Sequence, residues 1–211
     1  MHLLGDISAH SSIIPFLLGV IFFRNFSKDL KLYTIFFGIA VIFDQIVTYL
    51  SSKQQNSWFL INIWILIEYC GTIYVFSYWQ KNIRIQKVLR WSIPAYSIFW
   101  FIAKIFQMED LHWFPQYTRS IESIILTIVA IYTLIKLGET GTYINKHYQF
   151  WVCIGVLFYF SGNIILFSLS DLRLVINLFI VHSILNILAN SLYAGGFWCH
   201  HYQLKRGISF Y

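Results

Sequence analysis

Seven apolar runs, at about 8–23, 32–50, 58–79, 88–106, 120–137, 150–170 and 174–199, occupy most of the 211 residues and leave the chain few ways to fold. An apolar run of about 20 residues matches the hydrocarbon thickness of a bilayer when it is wound as a helix. These runs are too long for strands and lack the alternation of outer-membrane barrel strands. Lipid offers their backbone groups no partner outside the segment, so helices follow. The expected fold is all-α: a polytopic integral membrane protein with one seven-helix transmembrane domain spanning residues 1–211. The first run is short and contains Pro15, and the fourth carries Arg90 and Lys104 near its ends and Pro94 inside.

Composition agrees. Hydrophobic residues make up 58% and charged residues only 11%, against roughly 25% charged in a soluble domain. Such a chain cannot cover a water-facing surface. A soluble enzyme and a disordered chain are excluded, and the net charge of +6 needs a source other than nucleic-acid binding.

Topology supplies it. With the N-terminus outside, cytoplasmic segments hold eleven basic residues: Arg24, Lys28 and Lys31; Lys81, Arg84, Lys87 and Arg90; Lys136 and Lys146; Lys205 and Arg206. Four remain outside, Lys53, Lys104, Arg119 and Arg173. Retention of Lys and Arg in cytoplasmic loops favours this orientation, with the C-terminus cytoplasmic and the basic surface against anionic lipid heads. Trp58 and Trp79 bracket the third run as interfacial rings do. Residues Met1 to Asp6 carry an acid and no basic patch, and no A-x-A-like pattern follows Phe23, so the first run is expected to be retained rather than cleaved.

No linker or low-complexity tract divides the chain, and no residue pattern recurs between its halves as an inverted transporter repeat would require. Gly155 with Gly162, and Gly195 with Gly196, read as close-packing faces. The three cysteines, Cys70, Cys153 and Cys199, all fall within helices and define no disulfide framework.

Ionisable groups inside a span are costly and mark candidate sites. Asp44, Glu68, Glu122, Asn163 and His182 fall at similar depths in the outer half of the membrane. His182, Asn186 and Asn190 add a stripe at i, i+4 and i+8. The expected ligand-binding set is Asp44, Glu68, Asn163, His182 and Asn186 around a polar pocket, with Glu122 and Asn62 near its mouth. Two plainer roles stand beside this one: the polar groups as interhelical glue, and Glu122 snorkelling to the interface. His182 is the one in-plane cation this count offers.

Other chemistry finds less support. His-x-x-x-His and His-Glu-x-x-His spacings are absent, so neither a zinc site nor the defining histidines of ceramidase-type hydrolases are present. The last run has no lysine for a retinal Schiff base. Cys199, His200 and His201 sit near His147 and Cys153 at the cytoplasmic face, but adjacent helical residues diverge by about 100° and read as interfacial rather than metal-binding. No catalytic residue, metal or cofactor is expected.

The run from Phe150 to Asn163 (FWVCIGVLFYFSGN), together with Asn62 and Glu68-Tyr69 in the third helix, resembles bacterial seven-helix sensor modules, the membrane regions associated with sensor histidine kinases. The resemblance implies a receptor-like subunit of the cell membrane that takes a small or lipidic ligand in the outer pocket. No kinase or output domain follows the seventh run in this sequence, so the signal would pass to a separate cytoplasmic partner. A transporter or channel-forming subunit using the intramembrane acids, an intramembrane lipid-modifying enzyme and a structural or homo-oligomeric assembly subunit are the alternatives.

Overall fold

A computed structural model of the chain describes residues 2–106, 108–112, 115–139, 143–168 and 175–205, with the side chains of 2, 3, 167, 168 and 175–179 left aside. Arg173 and Arg206 of the charge count, and the expected span ends at 170 and 174, lie outside these residues. The described residues are helical almost throughout: α1 His2–Ser11, α2 Ile13–Phe22, α3 Lys28–Ser52, α4 Trp58–Trp79, α5 Ile83–Ile105, α6 Gln116–Gly138, α7 Tyr148–Ser168 and α8 Val175–Lys205. Short 3-10 turns cover Phe23–Asn25 and Ile144–Lys146, and no strand occurs among them.

The first apolar run starts earlier than its composition indicates, because α1 and α2 together form one candidate span, Leu4–Asn25. They are separated at Ser12. Pro15 has no N–H to give to the carbonyl of Ser11, which accounts for the break. Six segments in all are long and apolar enough to cross a membrane. The helix outside that set is α5, which carries Arg84, Lys87, Arg90 and Lys104. It nevertheless runs unbroken through Pro94 for 23 residues.

Contacts arrange the six apolar segments in a closed ring. The kinked α1–α2 pair packs on α3 and α8, α3 on α4, α4 on α6, α6 on α7, and α7 on α8. α5 packs chiefly on α4, on the outside of the ring. Sterics tie α7 to α8: a Cβ at Gly155 would sit 2.6 Å from the Tyr193 ring and 3.2 Å from the Ala189 carbonyl oxygen, and one at Gly162 would sit 2.3 Å from Leu185. Small residues thus let the two backbones approach. Gly196 meets the Tyr148 carbonyl in the same way, at 3.1 Å, whereas a Cβ at Gly195 would lie 3.8 Å from Trp151, in ordinary contact.

Polarity is distributed inside out. Ile21, Ile42 and Ile165 are 60% exposed or more, while Asn62, Glu68, Arg119, Glu122 and Asn163 are buried. An apolar exterior around a polar interior is compatible with a helical bundle whose solvent is hydrocarbon.

Candidate functional site

The ring encloses a cavity of about 510 Å³ toward the end of the bundle where α4 and α6 begin. Its walls are largely aromatic: Tyr33, Phe36 and Phe37 from α3, Trp64 from α4, and Tyr159 and Phe160 from α7. Into these walls the helices set a few polar groups, among them Asp44, Glu68, Arg119, His182, Asn186 and Asn190.

Arg119 is the centre of the arrangement. It lies in the first turn of α6, only 6% exposed. Its Nη1 donates to Glu68 Oε2 and, at 2.7 Å, to Glu122 Oε2, while Nη2 donates to the Tyr159 hydroxyl at 2.8 Å. The guanidinium also lies 5.4 Å from the ring centroids of Tyr159 and Phe160, within cation–π range. One cation therefore holds carboxyl groups from α4 and α6 and a phenol from α7. The charge count from sequence treated Arg119 as a loop cation. In the structure it is a buried ion-pair partner, so His182 is not the one candidate cation inside the bundle.

A preceding segment fixes where α6 begins. Glu109 Oε1 accepts the backbone N–H groups of Tyr117 and, at 3.0 Å, Thr118, and Oε2 accepts the Thr118 hydroxyl at 2.7 Å. Lys104 completes the cluster with a 2.8 Å ion pair to Glu109. A carboxylate on the first free N–H groups of a helix satisfies donors that have no partner within the helix. The cap holds the turn that carries Arg119.

The kink in the first span presents a second polar row. Ser12 donates to Asp44 Oδ2 at 2.7 Å. On the neighbouring face, Asn186 Nδ2 donates to Ser8 Oγ at 3.0 Å and Asn190 Nδ2 to Ser11 Oγ at 2.7 Å. The stripe on α8 thus meets serines at i and i+3 of the first segment, while the serine at i+4 turns to α3. His182, one turn earlier, places its Nδ1 2.9 Å from Asn163 Oδ1.

The structure brings Asp44, Glu68, His182 and Asn186 to one cavity, and it sorts the other expected residues differently. Asn163 stands behind His182 rather than in the wall. Glu122 is neither at a mouth nor snorkelling: it is 0% exposed behind Arg119. Its Oε1 has no hydrogen-bond partner among the described residues. Asn62 is buried, giving its amide to the Trp58 and Leu111 carbonyls at 3.0 and 3.1 Å. Arg119, Ser8, Ser11 and Ser12 were absent from the set read from sequence.

At the opposite end, Cys199, His200 and His201 point apart. Cys199 Sγ donates to the Lys146 carbonyl at 3.3 Å, His201 stacks on Phe22 at 3.7 Å, and His200 meets Tyr148 edge-on at 4.8 Å. No group of three candidate metal ligands occurs among the described residues. Asp29 in this region accepts from Trp79 Nε1 and the Tyr148 hydroxyl, both at 2.6 Å, tying α3, α4 and α7 together.

No family model, curated protein or solved structure matches this chain.

Proposed function

We propose that this chain is a seven-span, receptor-like subunit of the cell membrane, with its N-terminus outside, that binds a small or lipidic ligand in the cavity and signals to a separate cytoplasmic partner. The observation that carries this reading is the cavity itself. About 510 Å³ falls within the range of small-molecule sites, which are mostly apolar with a few convergent polar groups. Its location near the starts of α4 and α6 is extracytoplasmic in the proposed orientation. A ligand touching α3, α4, α6, α7 and α8 together can favour one packing of the ring over another, which is the requirement for a signal. The cytoplasmic segment around Lys81 to Lys87 and the tail after Leu204 are the surfaces that would report it.

Charge placement supports the orientation further. Of the basic residues counted outside, Lys104 and Arg119 are ion-paired to buried carboxyl groups, so the free positive charge is still more one-sided than the sequence count.

The test is native mass spectrometry of the protein purified in mild detergent, wild type beside Ala40→Trp, in which a wall position of the cavity is filled. A retained non-protein mass in the wild type that is lost from a folded Ala40→Trp variant is the expected result. Retention by both at equal occupancy would place the molecule elsewhere and sink the reading.

A second reading draws on Asp44, which stands apart from the Arg119 cluster with Ser12 as its one hydrogen-bond donor among the described residues. A transporter subunit would use such a carboxyl group to carry a proton or cation. Proton or sodium flux into proteoliposomes that is abolished by Asp44→Asn would favour transport over reception.

A further inference from the structure

The cavity's chemistry is lopsided, and the imbalance points to the class of molecule it takes. Two carboxyl groups, Glu68 and Glu122, share the single guanidinium, and a third, Asp44, stands apart from it in the cavity wall. Arg119 is already engaged: one terminal nitrogen serves both glutamates and the other serves Tyr159. Its charge is already shared between two buried carboxyl groups, and an anionic ligand that drew it away would leave them without their cation.

Of the other polar groups in the wall, Asp44 is the acid that the guanidinium does not neutralise. Asp44 has only the Ser12 hydroxyl as a donor among the described residues. His182 is held from behind by Asn163, its Nδ1 2.9 Å from Asn163 Oδ1. Asp44 and His182 line the cavity, and Asn163 does not. The amide nitrogens of Asn186 and Asn190, which would otherwise be donors, are committed to Ser8 and Ser11.

Around these groups stand aromatic faces. Phe36 lies between Tyr33 and Trp64 with ring centroids 5.6 and 5.4 Å away, and Tyr159 and Phe160 face them from α7. Aromatic faces attract cations and also accommodate apolar bodies.

We propose that the cavity binds an organic cation, a protonated amine carried on an apolar body, with the ammonium group against Asp44 and the body among the aromatic rings. The assignment rests on the proposed ligand-binding role of the cavity and adds the charge and class of the ligand.

The test uses three probes of equal chain length, octylamine, 1-octanol and octanoate, which near pH 7 are a cation, a neutral alcohol and an anion. Each is titrated calorimetrically into the full-length protein in nanodiscs, with empty nanodiscs subtracted to remove partitioning into lipid. The expected result is a saturable component for octylammonium at least tenfold tighter than for either other probe. Asp44→Asn keeps an acceptor for Ser12 and should erase most of that tenfold preference. The wild-type order decides the matter even if the variant folds poorly. Octanoate binding as tightly as octylammonium, or a preference that survives Asp44→Asn, would overturn the proposal. Equal saturable binding of all three would overturn the charge assignment and leave the cavity a binding site. No saturable component for any probe would overturn both the cation assignment and the ligand-binding reading beneath it.

Discussion

Ser12 reaches across 32 sequence positions to give its hydroxyl proton to Asp44 at 2.7 Å, and it does so from the point where the first span breaks ahead of Pro15. The break and the contact fall at the same residue. Ser12 keeps helical dihedrals there and meets an acid on α3, while Ser8 and Ser11 on the turn before meet Asn186 and Asn190 on α8. The first span is thereby held by three hydroxyls as well as by apolar packing.

Removing one of these hydrogen bonds should cost about 1 kcal/mol. Ser12→Ala should lower unfolding stability in detergent by that amount and speed amide hydrogen exchange across residues 2–22. Asp44→Asn preserves an acceptor and should lose less. Ser52 provides the control, because its exposed hydroxyl bonds only the Tyr49 carbonyl one turn back. Ser52→Ala should change neither quantity, and equal effects of the two serine substitutions would refute the tether.

The Arg119 cluster predicts a larger and non-additive effect. Deleting one member of a buried ion network leaves the others uncompensated, at about 3–5 kcal/mol. Arg119→Leu should therefore destabilise severely. Combining it with Glu68→Gln and Glu122→Gln should restore much of the loss, because the remaining groups no longer need a cation. The measurement is chemical unfolding of the single and triple variants. Additive losses in the triple variant would mean that the three residues do not act as a unit.

Why Arg119 escaped notice in the sequence is instructive. It lies immediately before an apolar run set at 120, where a basic residue reads as a loop charge. The signal was nevertheless present, since Arg119 and Glu122 stand at i, i+3 on one helix, a spacing at which opposite charges meet. Ser8, Ser11 and Ser12 share a face at i, i+3 and i+4 inside the first run, but uncharged hydroxyls carry little of the cost that marks an ionisable group in a span. The helices, and the close approach at Gly155 and Gly162, were legible because hydrophobic runs and small residues act locally. The meeting of Asp44, Glu68 and His182 was legible only as a coincidence of depth. Which walls they share depends on the order of helices around the ring, and no local pattern encodes that order.

The α7–α8 contact predicts opposite outcomes for two glycines. A methyl group at Gly155 would press on the Tyr193 ring at 2.6 Å with the Ala189 carbonyl at 3.2 Å behind it, leaving little room to yield. Gly155→Ala should cost about 1–3 kcal/mol, as overpacking does. It should also disturb the cavity, because Tyr193 forms part of its wall. At Gly138, the last residue of α6, nothing among the described residues lies within 4 Å of the added carbon. Gly138→Ala should be neutral or stabilise by about 0.4–1 kcal/mol through a less flexible unfolded chain. Thermal unfolding of the two variants side by side checks the contrast, and equal stabilities would show that the helices are not packed this closely.

Orientation and span number can be decided by one set of single cysteines in a background lacking Cys70, Cys153 and Cys199, the three free thiols. Lys53 and Lys81 are exposed and flank α4, and Asp110 is exposed beyond the far end of α5. With the N-terminus outside, a membrane-impermeant maleimide applied to intact cells should label Lys53→Cys at once and Lys81→Cys only after the membrane is breached. The reverse pattern would invert the topology, and labelling of both from one side would mean that α4 does not cross. Asp110→Cys then isolates the most charged helix. Its four basic residues keep α5 outside the apolar set, yet three of them, Arg84, Lys87 and Arg90, lie in its first eight residues, where they can remain at the cytoplasmic interface. The fourth, Lys104, is neutralised by Glu109 at the other end. The intervening stretch, 91–103, is uncharged but short for a full crossing, so α5 spans only if its terminal turns sit among the headgroups. Labelling of Asp110→Cys from outside makes α5 the seventh span, whereas protection until lysis would contradict the bundle itself, because Asn62 near the start of α4 bonds the Leu111 carbonyl and sets the loop that caps α6 at the end where α4 begins.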